Sequence, residues 1–200
     1  MEFKVAVVYH SGYGHTGRQA ESVAAGAARV EGASVRLLSL GEPPEDLWEA
    51  LAESDAIIFG TPTYMGGSSA VFRGFVEDTS KVWGDGLGWK NKIGAGFTNS
   101  GNMSGDKLHT LVDLALFAAQ HGMIWVGLAA YGGWNTSAGS AEDLNRLGSW
   151  LGAMAQSDND VSPEVAPSAS DLRTAEALGR RVAEVTRIHL RGRDAELQPV

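Results

Sequence analysis

The sequence predicts an α/β fold: a doubly wound, five-stranded parallel sheet in the order 2-1-3-4-5, with helices on both faces. Three observations lead there. Short apolar runs alternate with helix-period stripes from end to end, the pattern of a parallel sheet covered on both sides. Glycine- and hydroxyl-rich segments stand at the carboxyl ends of three of those runs, where open α/β sheets bind ligands. The 200 residues, 44% hydrophobic and 20% charged, are enough to build one core.

In chain order, Phe3–Tyr9 reads as the first strand, a buried run of Val and Ala. From Gly17 to Val30, Ala20, Val23, Ala24 and Ala27 recur at helical spacing. Ser34–Leu40 is the second strand, and the turn Glu42–Glu45 opens a helix carrying Leu47, Ala50 and Leu51. Ala56–Gly60 is strand three, followed by a helix over Val71–Lys81 with Phe75 and Val76 on one face. Lys92–Thr98 is strand four, and Leu108, Leu111, Val112, Ala115 and Ala119 stripe the helix after it. Met123–Leu128 is strand five. The last helix runs from about Asp171 to Leu190, with Ala175, Leu178, Val182 and Val185 inward and the capping-box spacing Ser168-x-x-Asp171 at its start. Between them, residues 129–167 read as one long loop, a functional segment or an interface. Residues 191–200 read as a loose tail, and 1–200 as a single domain.

Composition excludes several classes. A net charge of −8 argues against nucleic acid as a partner. The longest apolar run, Met123–Tyr131, is too short to span a membrane, and the apolar residues Val5–Tyr9 form a first strand rather than a signal peptide, so a cytoplasmic location is expected. There is no cysteine, hence no disulfide, thiol nucleophile or iron–sulfur cluster. Redox chemistry would have to reside on an organic cofactor. The five histidines show no i, i+4 pairing, and no metal site is expected.

The first strand delivers His10-Ser11-Gly12-Tyr13-Gly14-His15-Thr16-Gly17 into a helix. Free N–H groups and the helix dipole make such a place an anion site, and Ser11 and Thr16 add hydroxyls. Gly12, Gly14 and Gly17 spell the dinucleotide fingerprint, but the second strand ends Leu38-Ser39-Leu40 without the acidic residue that goes with it. A P-loop fails because Arg18-Gln19 stands where Lys-Ser/Thr is required. A mere tight turn would not need this density of hydroxyls. Two further loops carry the same chemistry: Gly60–Gly67, with Pro62, Thr63, Tyr64 and Met65, and Thr98–Gly105, with Asn99, Ser100, Gly101, Asn102, Met103 and Ser104. A compact ligand touching all three fits FMN, its phosphate on the first loop and its ring between the other two.

At these residues the sequence resembles the flavodoxin-like NAD(P)H:quinone oxidoreductases of the tryptophan-repressor-binding-protein type. The resemblance is carried by Ser11-x-Tyr13-Gly14-His15, by Asp55–Thr63 and by His121-Gly122-Met123. It implies FMN bound by Ser11 to Thr16, by Thr63, Tyr64 and Met65, and by Asn99 to Ser104. It also implies a ping-pong transfer of two electrons from NAD(P)H to a quinone, with Trp83 and His121 lining the site that nicotinamide and quinone share. Tyr64 replaces the arginine common in that family's T-P-T-R-F-G loop. An electron-carrier flavodoxin, a flavin or azo-dye reductase and a non-catalytic flavin-binding regulatory module remain alternatives.

Single residues carry plainer readings too. His121 ends a helix and suits a C-terminal cap before Gly122. Trp125 reads as core, Tyr13 as a stacking or packing residue, and His109 and His189 as solvated. Trp83, Trp89, Trp134 and Trp150 fall in or beside loops, which predicts a homo-oligomer, dimer or tetramer.

Overall fold

The computed structural model describes residues 1–196. Its strands are β1 (Phe3–Tyr9), β2 (Ala33–Ser39), β3 (Ala56–Tyr64), β4 (Gly67–Ser68), β5 (Ile93–Ser100), β6 (Ile124–Trp125) and β7 (Ala153–Gln156). Its helices are α1 (His15–Ala28), α2 (Leu47–Glu53), α3 (Ala70–Asp78), α4 (Ser80–Gly84), α5 (Lys107–Gln120) and α6 (Ala169–Glu196). The sheet runs β2-β1-β3-β5-β6, parallel throughout, with the short β4 folded back antiparallel on β3 and β7 on the free side of β5. This is the doubly wound, flavodoxin-like architecture that the alternation predicts.

Alternate residues of each strand feed two cores. Val5, Val7 and Ile58 face α1 and α6, while Ala6, Val8, Ile57 and Phe59 face α2, α3 and α5. Within the first layer α1 and α6 lie close together because they touch through glycine: a Cβ on Gly26 would overlap the Glu176 carbonyl, and one on Gly179 the Val23 carbonyl. On the other face the rings of Phe59, Phe72, Phe75, Trp89 and Phe117 interlock. Trp89 is therefore a core residue, fully buried, and not the surface aromatic that its loop position suggests.

The fifth strand departs from expectation. Only Ile124 and Trp125 pair with β5, opposite Ile93 and Gly94. The chain then leaves the sheet and returns as β7, which pairs Ala153–Gln156 with Phe97–Ser100. One sheet position is thus filled in two pieces, and the expected loop 129–167 contains the second. The excursion is tied down by Asn145, whose Nδ2 donates to the Ala130 and Ser149 carbonyls at 2.8 and 2.9 Å. Strand β3 runs four residues past Gly60 to reach β4, and the single helix expected over 71–81 divides into α3 and α4. Residues 191–196, expected as tail, belong to α6; residues 197–200 of that expectation lie outside the described residues. Among the described residues no helix is long and apolar enough to cross a membrane.

Candidate functional site

The chain order turns from one side of β1 to the other between β2 and β3, so the loops after β1 and β3 part at the carboxyl edge of the sheet. They and the loop after β5 enclose a cleft of about 560 Å³, within the ordinary size of a cofactor site.

The first wall is the β1–α1 loop. Helix α1 starts at His15, and its N-cap, Gly14, sits at φ 89° and has no side chain, so within the first turn Ser11 takes the Gly17 N–H and leaves those before it to a ligand. Those donors point out of the helix end. The loop is internally braced: the Gly17 N–H donates to Ser11 Oγ at 3.0 Å and the Arg18 N–H to the Gly14 carbonyl at 3.0 Å. Tyr13, His15 and Thr16 line the cleft, while Ser11, Gly12 and Gly14 shape the loop.

The second wall is the β3–β4 hairpin. Thr63 pairs with Ser68 and Tyr64 with Gly67, leaving Met65 and Gly66 at φ 49° and 85° as a two-residue turn. That turn aims the Tyr64 ring back toward the first wall, edge-on to Tyr13 at 6.2 Å. Partial burial raises the Tyr64 phenol above its ordinary pKa, so it stays a neutral donor. Behind it the Thr63 hydroxyl meets those of Thr98 and Thr110, each at 2.8 Å. Beside this, His10 Nδ1 lies 2.8 Å from the Ser69 hydroxyl that caps α3, and burial lowers its pKa.

The third wall is Asn99–Asn102, the end of β5 and the turn after it. The loop after β7 supplies a fourth, unforeseen wall. Asn99 Nδ2 donates to Ser157 Oγ at 2.8 Å, and Asn159 packs against Gly101. Farther along, His15 Nε2–H donates to the Val161 carbonyl at 2.9 Å. Ser157 and Asn159 line the cleft, as do Gly66, Gly105 and Asp106. The only sequence signal for Ser157 and Asn159 is a run of polar residues after a four-residue strand, too short for period-2 alternation to register. Met103 and Ser104 turn away from the cleft and line a groove beside α5.

Trp83 and His121 do not meet this cleft. His121 follows α5, and the Gly122 carbonyl accepts from the Asn91 N–H just before β5 begins. The cleft lies at the other end of β5, eight residues away, about 26 Å along a strand. His121 is buried against Trp89 and Phe117, with ring centroids 4.7 and 5.0 Å apart. Its Nε2–H donates to Thr79 Oγ1 at 2.9 Å, whose own proton goes to the Val76 carbonyl at 2.7 Å. Trp83 stands half-exposed on α4 at the same end. Their distance from the loops was not legible, because α5 carries His121 the full depth of the sheet. As lining of their own chain's cleft, both expectations are corrected.

The comparisons agree with this fold. A family model described as NADPH-dependent FMN reductase matches residues 4–165. The flavodoxin FldP of Pseudomonas aeruginosa is 42% identical over 182 residues, covering 91% of this chain and 96% of that protein. A protein named NAD(P)H dehydrogenase (quinone) from Aromatoleum aromaticum is 34% identical over 213 residues, covering 96% of this chain and all of its own length. The solved structure of a WrbA-like flavodoxin from Agrobacterium tumefaciens superposes with a TM-score of 0.71 at 43% identity, over 94% of this chain and 99% of that one.

Proposed function

The chain belongs to the NADPH-dependent FMN reductase family, and from that premise we propose that it is a cytoplasmic FMN-dependent NAD(P)H:quinone oxidoreductase, one FMN per chain in a single domain. The observation that carries the reading is the convergence of a helix N-terminus capped by glycine with two hydroxyl- and amide-lined loops around one cleft. The residues fit the cofactor. The free N–H groups at Gly14–Thr16 suit a phosphate without a lysine, and Tyr64 offers a flat face to a ring. Thr63 and Asn99–Asn102 offer donors and acceptors to its polar edge. Hydroxyls and amides dominate, a lining that suits holding and orienting a cofactor.

Bound FMN would supply the redox chemistry, receiving two electrons and a proton from nicotinamide C4 and passing electrons to the quinone after the oxidised nucleotide has left. The chain's own part is positional. Ser11 and Gly14 hold the phosphate loop in shape, Thr63 is locked by two hydroxyls, and Tyr64 with Met65 closes the outer side. Quinone reductase relatives support the acceptor. The 42% identity to a flavodoxin supports a second reading, an electron carrier that does not oxidise NAD(P)H itself.

Anaerobic spectra separate the two. NADPH or NADH should bleach the bound flavin and benzoquinone should restore it, with parallel double-reciprocal lines in steady state. Flavin that stays oxidised under NAD(P)H but is reduced by a protein donor overturns the enzyme reading in favour of the carrier.

We further propose that the working form is at least a dimer. Leu108, Val112 and Leu116 form an exposed stripe along α5, continued by Met103 and Trp150. Large apolar side chains gathered in this way favour a covered face, and an uncharged stripe is where two chains of net charge −8 can meet without repulsion.

A further inference from the structure

The Ser100–Asn102 wall is backed by a buried charge cluster. Lys107, the first residue of α5, has no exposed surface. Its ammonium donates to Ser100 Oγ at 2.9 Å and to the Asn102 carbonyl at 2.6 Å, both neutral oxygens. Asp171 on α6 is buried as well, and it accepts from Arg146 Nε and a terminal guanidinium nitrogen at 2.8 Å each. It also accepts from the Gln156 N–H at 2.9 Å. Gln156 Nε2 in turn donates to the Gly101 carbonyl at 3.0 Å.

Every residue of this wall is therefore tied to the cluster, in which two cations face one carboxylate. Counted over these three buried groups alone, the sum is one positive charge directly behind the wall, in a chain whose net charge is −8. Burying an ion costs several kcal/mol, and a helix N-terminus is the unfavourable end for a cation. A neutral side chain could fasten the same loop at less cost. What lysine adds is charge.

We propose that Lys107, with the Arg146–Asp171 pair, stabilises the negative charge that arrives on a flavin held against Ser100–Asn102. The proposal rests on the FMN reading above. When the C4–H bond of a dihydronicotinamide breaks, its electron pair and proton pass together to the flavin, where an N–H bond forms. The nucleotide leaves with one more positive charge, and the flavin ring keeps one negative charge. Lys107 acts on that charge through the Ser100 hydroxyl and the Asn102 peptide, as a positioning residue and not as a proton donor to the ring.

Burial lowers the Lys107 ammonium to about 8, with Asp171 opposing the shift and Arg146 adding to it. Two other carboxylates belong to the same surroundings: Asp106, next in sequence and on the cleft, and Asp158, which accepts from Gln156 Nε2 at 2.8 Å. A negative charge on the flavin pulls the lysine pKa back up. Above about pH 8, reduction then takes up one further proton per electron pair.

The test is the two-electron midpoint potential of the FMN-loaded protein, read spectroscopically against reference dyes from neutral to alkaline pH. In the wild type the slope should steepen above about pH 8 by about 30 mV per pH unit, the value of one proton in a two-electron couple. Lys107→Met should lack that break. At neutral pH it should bind reduced relative to oxidised FMN at least tenfold less tightly, a fall of about 30 mV or more. Lys107→Arg should keep most of the wild-type neutral-pH potential. A wild type without the break, or a Lys107→Met protein that binds FMN with unmoved potential, overturns the proposal and leaves the FMN reading standing. Failure of the wild type to bind FMN overturns both. Should Lys107→Met not fold, the wild-type pH series decides alone.

Discussion

The Tyr64 hydroxyl lies 2.5 Å from where a Cβ on Gly12 would be. The hairpin after β3 therefore closes directly onto the loop after β1, and the absence of a side chain at Gly12 is what permits it. Gly12→Ala should push the Tyr64 ring outward and weaken FMN binding roughly 10-fold, about 1.4 kcal/mol. Tyr64→Phe removes the clashing atom, so the double variant should bind better than Gly12→Ala alone. Additive losses in this cycle would show that the two residues are not coupled.

The β1–α1 loop should read phosphate specifically. Ser11→Ala with Thr16→Ala is expected to cost about 1–3 kcal/mol in FMN affinity, since hydrogen bonds to a charged group are the strong kind. Riboflavin affinity should change far less. Titration of apoprotein with both flavins decides it, and equal losses for the two would mean that the loop serves only its own geometry.

His121 should make stability depend on pH. Burial lowers its pKa from 6.5, so the unfolded chain binds the proton more readily than the folded one. Its contribution is present above pH 6.5 and is lost as pH falls below that value, by at most about 1.4 kcal/mol per pH unit. The buried Nδ1 has no partner among the described residues, and a charge there would sit between two aromatic rings. His10 shifts in the same direction. Urea midpoints measured on the acid side should therefore fall less steeply in His121→Gln, which can still donate to Thr79, than in the wild type. FMN affinity of this variant should be unchanged.

Light scattering coupled to size exclusion should return at least twice the single-chain mass of 21.1 kDa. Val112→Glu with Leu116→Glu should return one chain while leaving FMN binding intact, because the stripe lies outside the cleft. An active wild type at the single-chain mass would sink the dimer.

The sequence by itself determined the sheet, its order and most of the cleft. Those rest on local signals that survive any packing: short continuous apolar runs, period-3.6 stripes, and glycine-hydroxyl loops placed directly after strands. Eleven of the residues expected at the cofactor do line one cleft, because a loop at a strand's carboxyl end has nowhere else to go in a parallel sheet. The tertiary structure alone decided the rest. Strand five is split because β5 offers a long edge that Ile124–Trp125 covers only at one end, and two short segments far apart in sequence share it. That return is what brings Ser157 and Asn159 to the cleft. His121 was assigned by motif to the substrate site, yet helix α5 spans the sheet and sets it at the opposite edge. Trp89 looked like a loop aromatic, yet Phe59, Phe75 and Phe117 enclose it. Lys107 carries no signal of its own in the sequence; its burial follows only once Asp171 and Arg146 approach it from α6 and from the excursion before β7. Burial and charge pairing are set by which distant segments meet, and no local pattern records that.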